Sequence, residues 1–229
     1  MNLDKRLSAA AELVKHGSRV ADIGADHGYL SIYLAESGKA SAVYACELRR
    51  KPLLNAQKNI AAAGLEGVVK TVLADGLDGV NPHEVDTVII AGMGGEIIAS
   101  IIERAPWLKS AEYSLILQPM SSSAELRNFL FQNGFWIESE NAVKSDGRLY
   151  TVIKAAFDPQ KAKKYGGDID VFFGGLFRNN TPENTAYINW VLKILKKQIS
   201  ALEGVERMSE RRAEICRIVA AAEERAAKI

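Results

Sequence analysis

Cysteine and histidine are scarce in this 229-residue chain, which has two of the first and three of the second. Cys46 and Cys216 lie far apart, and neither has a neighbour at metal-binding or redox spacing. That excludes a cysteine-built metal site and predicts reduced thiols. His16 and His83 have no partners in sequence, and no Ser/His/Asp constellation can be placed. No apolar run is long enough to span a membrane, and the opening Met-Asn-Leu-Asp-Lys-Arg-Leu carries no signal segment. The expectation is a cytoplasmic protein with no metal, no membrane contact and no obligate protein partner. Repeats and low-complexity tracts are absent too. The net charge of +1 denies the molecule as a whole an obvious polyanion-binding character.

What is present is a regular alternation. An amphipathic helix carrying Leu3, Leu7, Ala10, Ala11 and Val14 ends at Gly17. Apolar strands follow at 19–23, 41–46, 68–74, 85–91 and 113–117, each ended by glycine or a polar residue and separated by helical stretches. This order predicts a parallel, doubly wound α/β sheet with its ligand site outside the carboxyl ends of the strands. Residues 135–143 and 149–156 alternate about Ser145-Asp-Gly and predict a terminal antiparallel pair. Ser121-Ser-Ser reads as the cap of a helix over 124–132, and 161–167 reads as a linker. Beyond Thr181, Tyr187, Trp190, Val191, Ile194, Leu195 and Gln198 form one stripe. A second helix from Met208 completes an antiparallel hairpin. The predicted division is a Rossmann-like body, 1–158, and a helical, coiled-coil-like domain, 159–229. The second part carries 13 Lys+Arg against 9 Asp+Glu, or +4, and the first 16 against 19, or −3.

The chemistry gathers at the strand ends. A dinucleotide fingerprint would read Gly-x-Gly-x-x-Gly, but Asp26 stands at the second glycine of Gly24-Ala-Asp-His-Gly28. A pyrophosphate would meet a carboxylate there, which disfavours a dehydrogenase. S-adenosylmethionine suits the turn better, because its sulfonium and ammonium groups are cationic and its ribose offers hydroxyls. Glu47, ending the second strand, can accept both ribose hydroxyls. Asp75-Gly76, ending the third, can take the adenine amino group. Gly92-Met93, ending the fourth, falls where cofactor and substrate would meet. The candidate cofactor contacts are Asp22, Gly24, Asp26, His27, Gly28, Glu47, Leu48, Asp75, Gly76, Gly92 and Met93. Arg6 and Gln118 are candidate substrate contacts. Lys193, Lys197 and Arg211 are candidate phosphate contacts for a nucleic acid.

The sequences Asp22-Ile-Gly-Ala-Asp-His-Gly-Tyr-Leu30, Gly92-Met-Gly-Gly95 and Leu115-Ile-Leu-Gln-Pro-Met120 together resemble a known family. They are similar to the bacterial TrmK-type tRNA (adenine-N1)-methyltransferases, within the class I S-adenosylmethionine-dependent methyltransferases. The resemblance runs the whole chain. It implies a seven-stranded sheet with the last strand antiparallel, a cofactor site at Gly24, Glu47, Asp75, Gly76, Gly92 and Met93, and a catalytic part for Asp26. It also implies adenine 22 of tRNA as the target and tRNA as the partner. Two other readings stay open: a methyltransferase acting on another RNA base, and a non-catalytic protein that binds the cofactor and RNA.

Overall fold

The computed structural model describes residues 3–228. Met1 and Asn2, part of the segment read as free of a signal, and Ile229, at the end of the expected helical domain, lie outside them. The chain runs α1 (Lys5–Glu12), β1 (Ser18–Ile23), α2 (Tyr29–Glu36), β2 (Ala40–Glu47), α3 (Arg50–Ala62) and β3 (Val69–Leu73). It continues with β4 (Thr87–Met93), α4 (Gly95–Glu103), β5 (Ser114–Pro119), α5 (Ser123–Gln132), β6 (Phe135–Ser145) and β7 (Arg148–Phe157).

The seven strands form one sheet in the order β3-β2-β1-β4-β5-β7-β6. Strands β1 to β5 pair in parallel, and β7 enters between β5 and β6 antiparallel to both. This is the expected Rossmann-like sheet with its last strand antiparallel. Its central strands are buried on both faces, which explains their continuous apolar runs. Ala21, Ile23, Val88 and Ile90 belong to one apolar cluster with Ile98 and Leu126 from α4 and α5. Val20 and Ile89 belong to the opposite cluster with Ala10, Leu34 and Ile60 from α1, α2 and α3. Strand order reverses direction between β1 and β4, so a crevice opens at their carboxyl ends.

The C-terminal part adds α6 (Pro159–Tyr165), α7 (Asp168–Phe173), α8 (Pro182–Ala201) and α9 (Ser209–Ala226). Thr181 caps α8 by accepting from the Asn184 N–H. Helices α8 and α9 form the expected hairpin, clasped by Lys196–Glu223 at 2.6 Å. The expected linker is instead helical up to Tyr165, as α6, and only Gly166 and Gly167 stay outside a helix. Asp158 caps α6 by accepting from the Lys161 N–H, and Pro159 supplies the preset first turn.

Three further readings are corrected. The strand expected to end at Ala91 continues through Gly92 and Met93, with a register shift against β5. Val85 precedes that strand rather than opening it. Ser122 precedes α5 in left-handed backbone, φ +53°, and its hydroxyl makes no capping hydrogen bond. The Gly95 N–H donates to the Ser121 carbonyl at 2.9 Å, and a Cβ on Gly95 would collide with the Ser122 carbonyl. The packing of α4 on this turn therefore dictates its shape.

Candidate active site

The first turn is built by its backbone. Gly24 and Ala25 donate N–H groups to the Cys46 carbonyl of β2 at 2.9 and 3.0 Å, folding the chain over the sheet end. Gly24, Asp26 and Gly28 all take positive φ, at +77°, +48° and +75°. At Gly24 a side chain would also run into the terminal methyl of Met93. The first and fourth turns thus touch, and glycine at 24 lets them. Asp22 lies just before the turn at 3% exposure. The Ser31 hydroxyl donates to it at 2.6 Å. Burial pushes the Asp22 carboxyl up to about 6, against the opposite pull of hydrogen bonds from Ser31. The buried Cys46 thiol is pushed up to about 12, by burial first and by Asp22 second, so it is no nucleophile at neutral pH.

Asp26 and His27 stand exposed at the tip, with Asp26 Oδ2 3.6 Å from His27 Nε2. The imidazole stacks on Tyr29, with ring centroids 5.3 Å apart. Along with Arg6, Asp22, Gly24 and Gly92, these residues line a cleft of about 230 Å³. Arg6 is brought in by α1 and held from several sides. It donates to Asp4 Oδ2 at 2.7 Å and to Gln118 Oε1 at 2.9 Å, it touches Met120 Sδ, and it lies over the Tyr150 ring. Gln118 is fully buried. Its Oε1 also accepts from the Gly92 N–H at 3.2 Å, and its Nε2 donates to the Pro119 carbonyl. It therefore lies behind the cleft and fixes two of the cleft's walls.

The neighbouring strand ends carry the other acids. Glu47 is buried, and its Oε1 accepts the Arg49 N–H at 3.0 Å. Its Oε2 enters no hydrogen bond among the described residues. Leu48 beside it is 60% exposed. Asp75 is held in a two-pronged pair by Arg104 at 2.9 and 3.2 Å, and Arg104 also reaches Asp78. Gly76 turns beneath with φ +61°.

The structure thus brings Arg6, Asp22, Gly24, Asp26, His27 and Gly92 to one cleft. Met93 touches its floor at Gly24, and Gly28 closes the turn by donating to the Ala25 carbonyl at 2.7 Å. Glu47, Leu48, Asp75 and Gly76 stand at the adjacent ends of β2 and β3. Lys193, Lys197 and Arg211 lie apart from the cleft, on α8 and α9. Sequence reasoning missed Tyr29 as a lining residue and Arg104 as the partner of Asp75. An exposed aromatic directly after a ligand turn is a readable signal for the first. The second joins positions 29 residues apart and leaves no local trace.

Residues 3–153 match the family described as "Methyltransferase domain". The tRNA (adenine(22)-N(1))-methyltransferase of Bacillus subtilis is 33% identical over 176 residues, covering 77% of this chain and 70% of that protein. The chain belongs to the TrmK methyltransferase family. The crystal structure of B. subtilis TrmK superposes with a TM-score of 0.83 at 29% identity, over 98% of this chain and 99% of that one. A Streptococcus pneumoniae relative, solved in complex with S-adenosyl-L-methionine, superposes with a TM-score of 0.78 at 31% identity, over 96% and 98% of the two chains. The TrmK likeness therefore takes in the helical C-terminal part as well as the sheet.

Proposed function

We propose that this chain methylates N1 of adenine 22 in tRNA, with S-adenosyl-L-methionine as the methyl donor. The observation that carries the reading is the acid-lined crevice at the β1/β4 reversal. The residues there suit the donor by their chemistry. Carboxylates at 22, 26 and 47 favour a ligand with cationic and hydroxyl groups and repel a pyrophosphate. Backbone at Gly92 is open, since a Cβ there would meet nothing within 4 Å. Asp22, Gly24 and Gly28 would hold the methionine end, Glu47 and Leu48 the ribose, and Asp75, Gly76 and Met93 the adenine. When bound, the donor supplies an electrophilic methyl group on a sulfonium.

The chain's own residues then have three tasks. Adenine N1 lies on the Watson–Crick edge, so the target base must leave its stack, at a cost of a few kcal/mol. Arg6, pinned by Asp4 and Gln118, offers a fixed cation at the cleft wall for a substrate phosphate. Gln118 contributes by holding Arg6 and the Gly92 turn in place. Asp26 accepts from the exocyclic amine and offsets the positive charge that N1-methylation leaves on the ring. No covalent intermediate with the chain is needed, so alignment of the base supplies most of the acceleration.

The reading divides the chain into a catalytic body, 1–158, and a helical tRNA-binding part, 159–229. It places the enzyme with its tRNA in the bacterial cytoplasm. Incubating the protein with labelled donor and unmodified tRNA, then mapping the modified nucleoside, tests it. 1-Methyladenosine at position 22 is the expected product. A methyl group on another base would support the broader RNA-methyltransferase reading, and no transfer would support a non-catalytic binder.

A further inference from the structure

Two members of the apolar stripe on α8 do not serve the hairpin. Tyr187, Val191 and Leu195 are buried, but Trp190 is 48% exposed and Ile194 38%. Both line a groove of about 330 Å³ between α8 and the body. Its opposite wall includes Met120 and Tyr150, and Phe172 also lines it. Met120 and Tyr150 are the residues that Arg6 touches from the cleft side. Arg6 therefore stands between the cleft and the groove.

The groove's walls are aromatic. Trp190 packs edge-on against Tyr187, with centroids 5.2 Å apart and planes at 65°, so its ring is presented in a set orientation. Lys197 lies seven residues, or nearly two full turns, along the helix from Trp190 and shares its face. Lys193 instead lines another hollow of the hairpin, with Leu192, Lys196 and Glu223. Neither lysine enters an ion pair among the described residues, unlike Lys196, which is tied to Glu223. Glu125 is the acid on the groove's lining. Beyond it the surface passes to Arg211, which shares a second hollow with Glu125 and Gln198. An aromatic platform with the uncommitted Lys197 on its face fits a nucleobase with its phosphate.

We propose that this groove, resting on the tRNA reading above, takes an unpaired base of the tRNA near the target adenosine. Trp190 is its stacking platform, and Lys197 meets an adjoining phosphate. Stacking of this kind is sequence-tolerant, so the groove contributes affinity and register, and base choice stays with the cleft.

The test compares full-length wild type, Trp190→Ala, Trp190→Phe and Ile194→Glu for affinity toward an unmodified tRNA transcript. Binding of S-adenosylhomocysteine by calorimetry serves as the control for folding. Trp190→Ala should weaken tRNA binding by about 5- to 150-fold, the range for loss of one base–aromatic stack, with the control unchanged. Trp190→Phe should keep most of the affinity. Wild-type tryptophan fluorescence should be quenched by tRNA, and Trp190→Phe should lose that quenching. Equal tRNA affinity in wild type and Trp190→Ala overturns the proposal while leaving the methyltransferase reading intact. So does sedimentation showing that wild type dimerises and Trp190→Ala does not, since a second copy would then cover the groove. A wild type that neither binds nor methylates tRNA removes both readings. If Trp190→Ala and Ile194→Glu weaken tRNA and S-adenosylhomocysteine binding alike, the effect is global and the proposal fails.

Discussion

Asp26 occupies left-handed backbone, φ +48°, which Asp and Asn adopt more readily than other side chains. Replacement by alanine would confound lost charge with a strained turn, so Asp26→Asn is the cleaner probe. It should lower methylation of tRNA by about 10²-fold or more. Cofactor affinity measured by calorimetry should fall far less than turnover. Near-wild-type turnover would reduce Asp26 to an ordering role. Asp22 makes a separate prediction, about pH. Its carboxyl is raised from 3.8 to about 6 by burial, so protonation favours the folded state. That contribution is complete below 3.8 and is lost as pH rises through about 6. Asp22→Asn is neutral throughout. In urea unfolding, its stability relative to wild type should therefore improve as pH rises across that window, and a pH-independent difference would show that Asp22 is not desolvated. The acids could be read in the sequence because each ends an apolar run. What they bind inside the protein could not, because Ser31 and Arg104 meet them only once the sheet has formed.

The strands were the most legible elements. Runs such as Val88-Ile-Ile90 are buried on both faces, and glycine or acid marks where each stops. Less legible were the places where tertiary contact overrides local preference. A lysine-rich stretch that reads as a linker becomes α6 because Asp158 and Pro159 start it. Ser122 forgoes capping because Gly95 packs against its carbonyl. The largest omission was the pair Arg127–Glu140, at 2.7 Å and almost without exposure. Arg127 on α5 also donates to the carbonyls of Val171 and Phe172, and Glu140 on β6 accepts the Gly175 N–H. This is the polar joint between the body and the helical part. Removing one partner strands a buried charge, so Arg127→Met should cost about 3–5 kcal/mol by chemical denaturation. Pairing it with Glu140→Leu should recover much of that loss. Equal stability in wild type and Arg127→Met would mean that the joint is solvated.

At the scale of the whole molecule, charge is divided between an acidic sheet end and a basic tail. Binding of tRNA should fall steeply with salt. Replacing Lys193 and Lys197 by glutamine should lower the slope of log K against log salt by about 1 for each lysine. An unchanged slope would place the phosphates elsewhere. Deleting the helical part is a poorer test, since Ala142 and Leu149 of the body share an apolar cluster with Ile188 and Leu192. Truncation would bare that surface along with the joint at Arg127. The seating of Arg6 has a consequence for the order of assembly. Its partners Gln118 and Met120 lie 112 and 114 residues further along, and Tyr150 later still. During synthesis α1 leaves the ribosome long before any of them exists. The residue that walls the cleft must wait for the far side of the sheet. The candidate cleft is then among the last parts of the body to be completed, since Arg6 gains its full set of contacts only when β7 is in place.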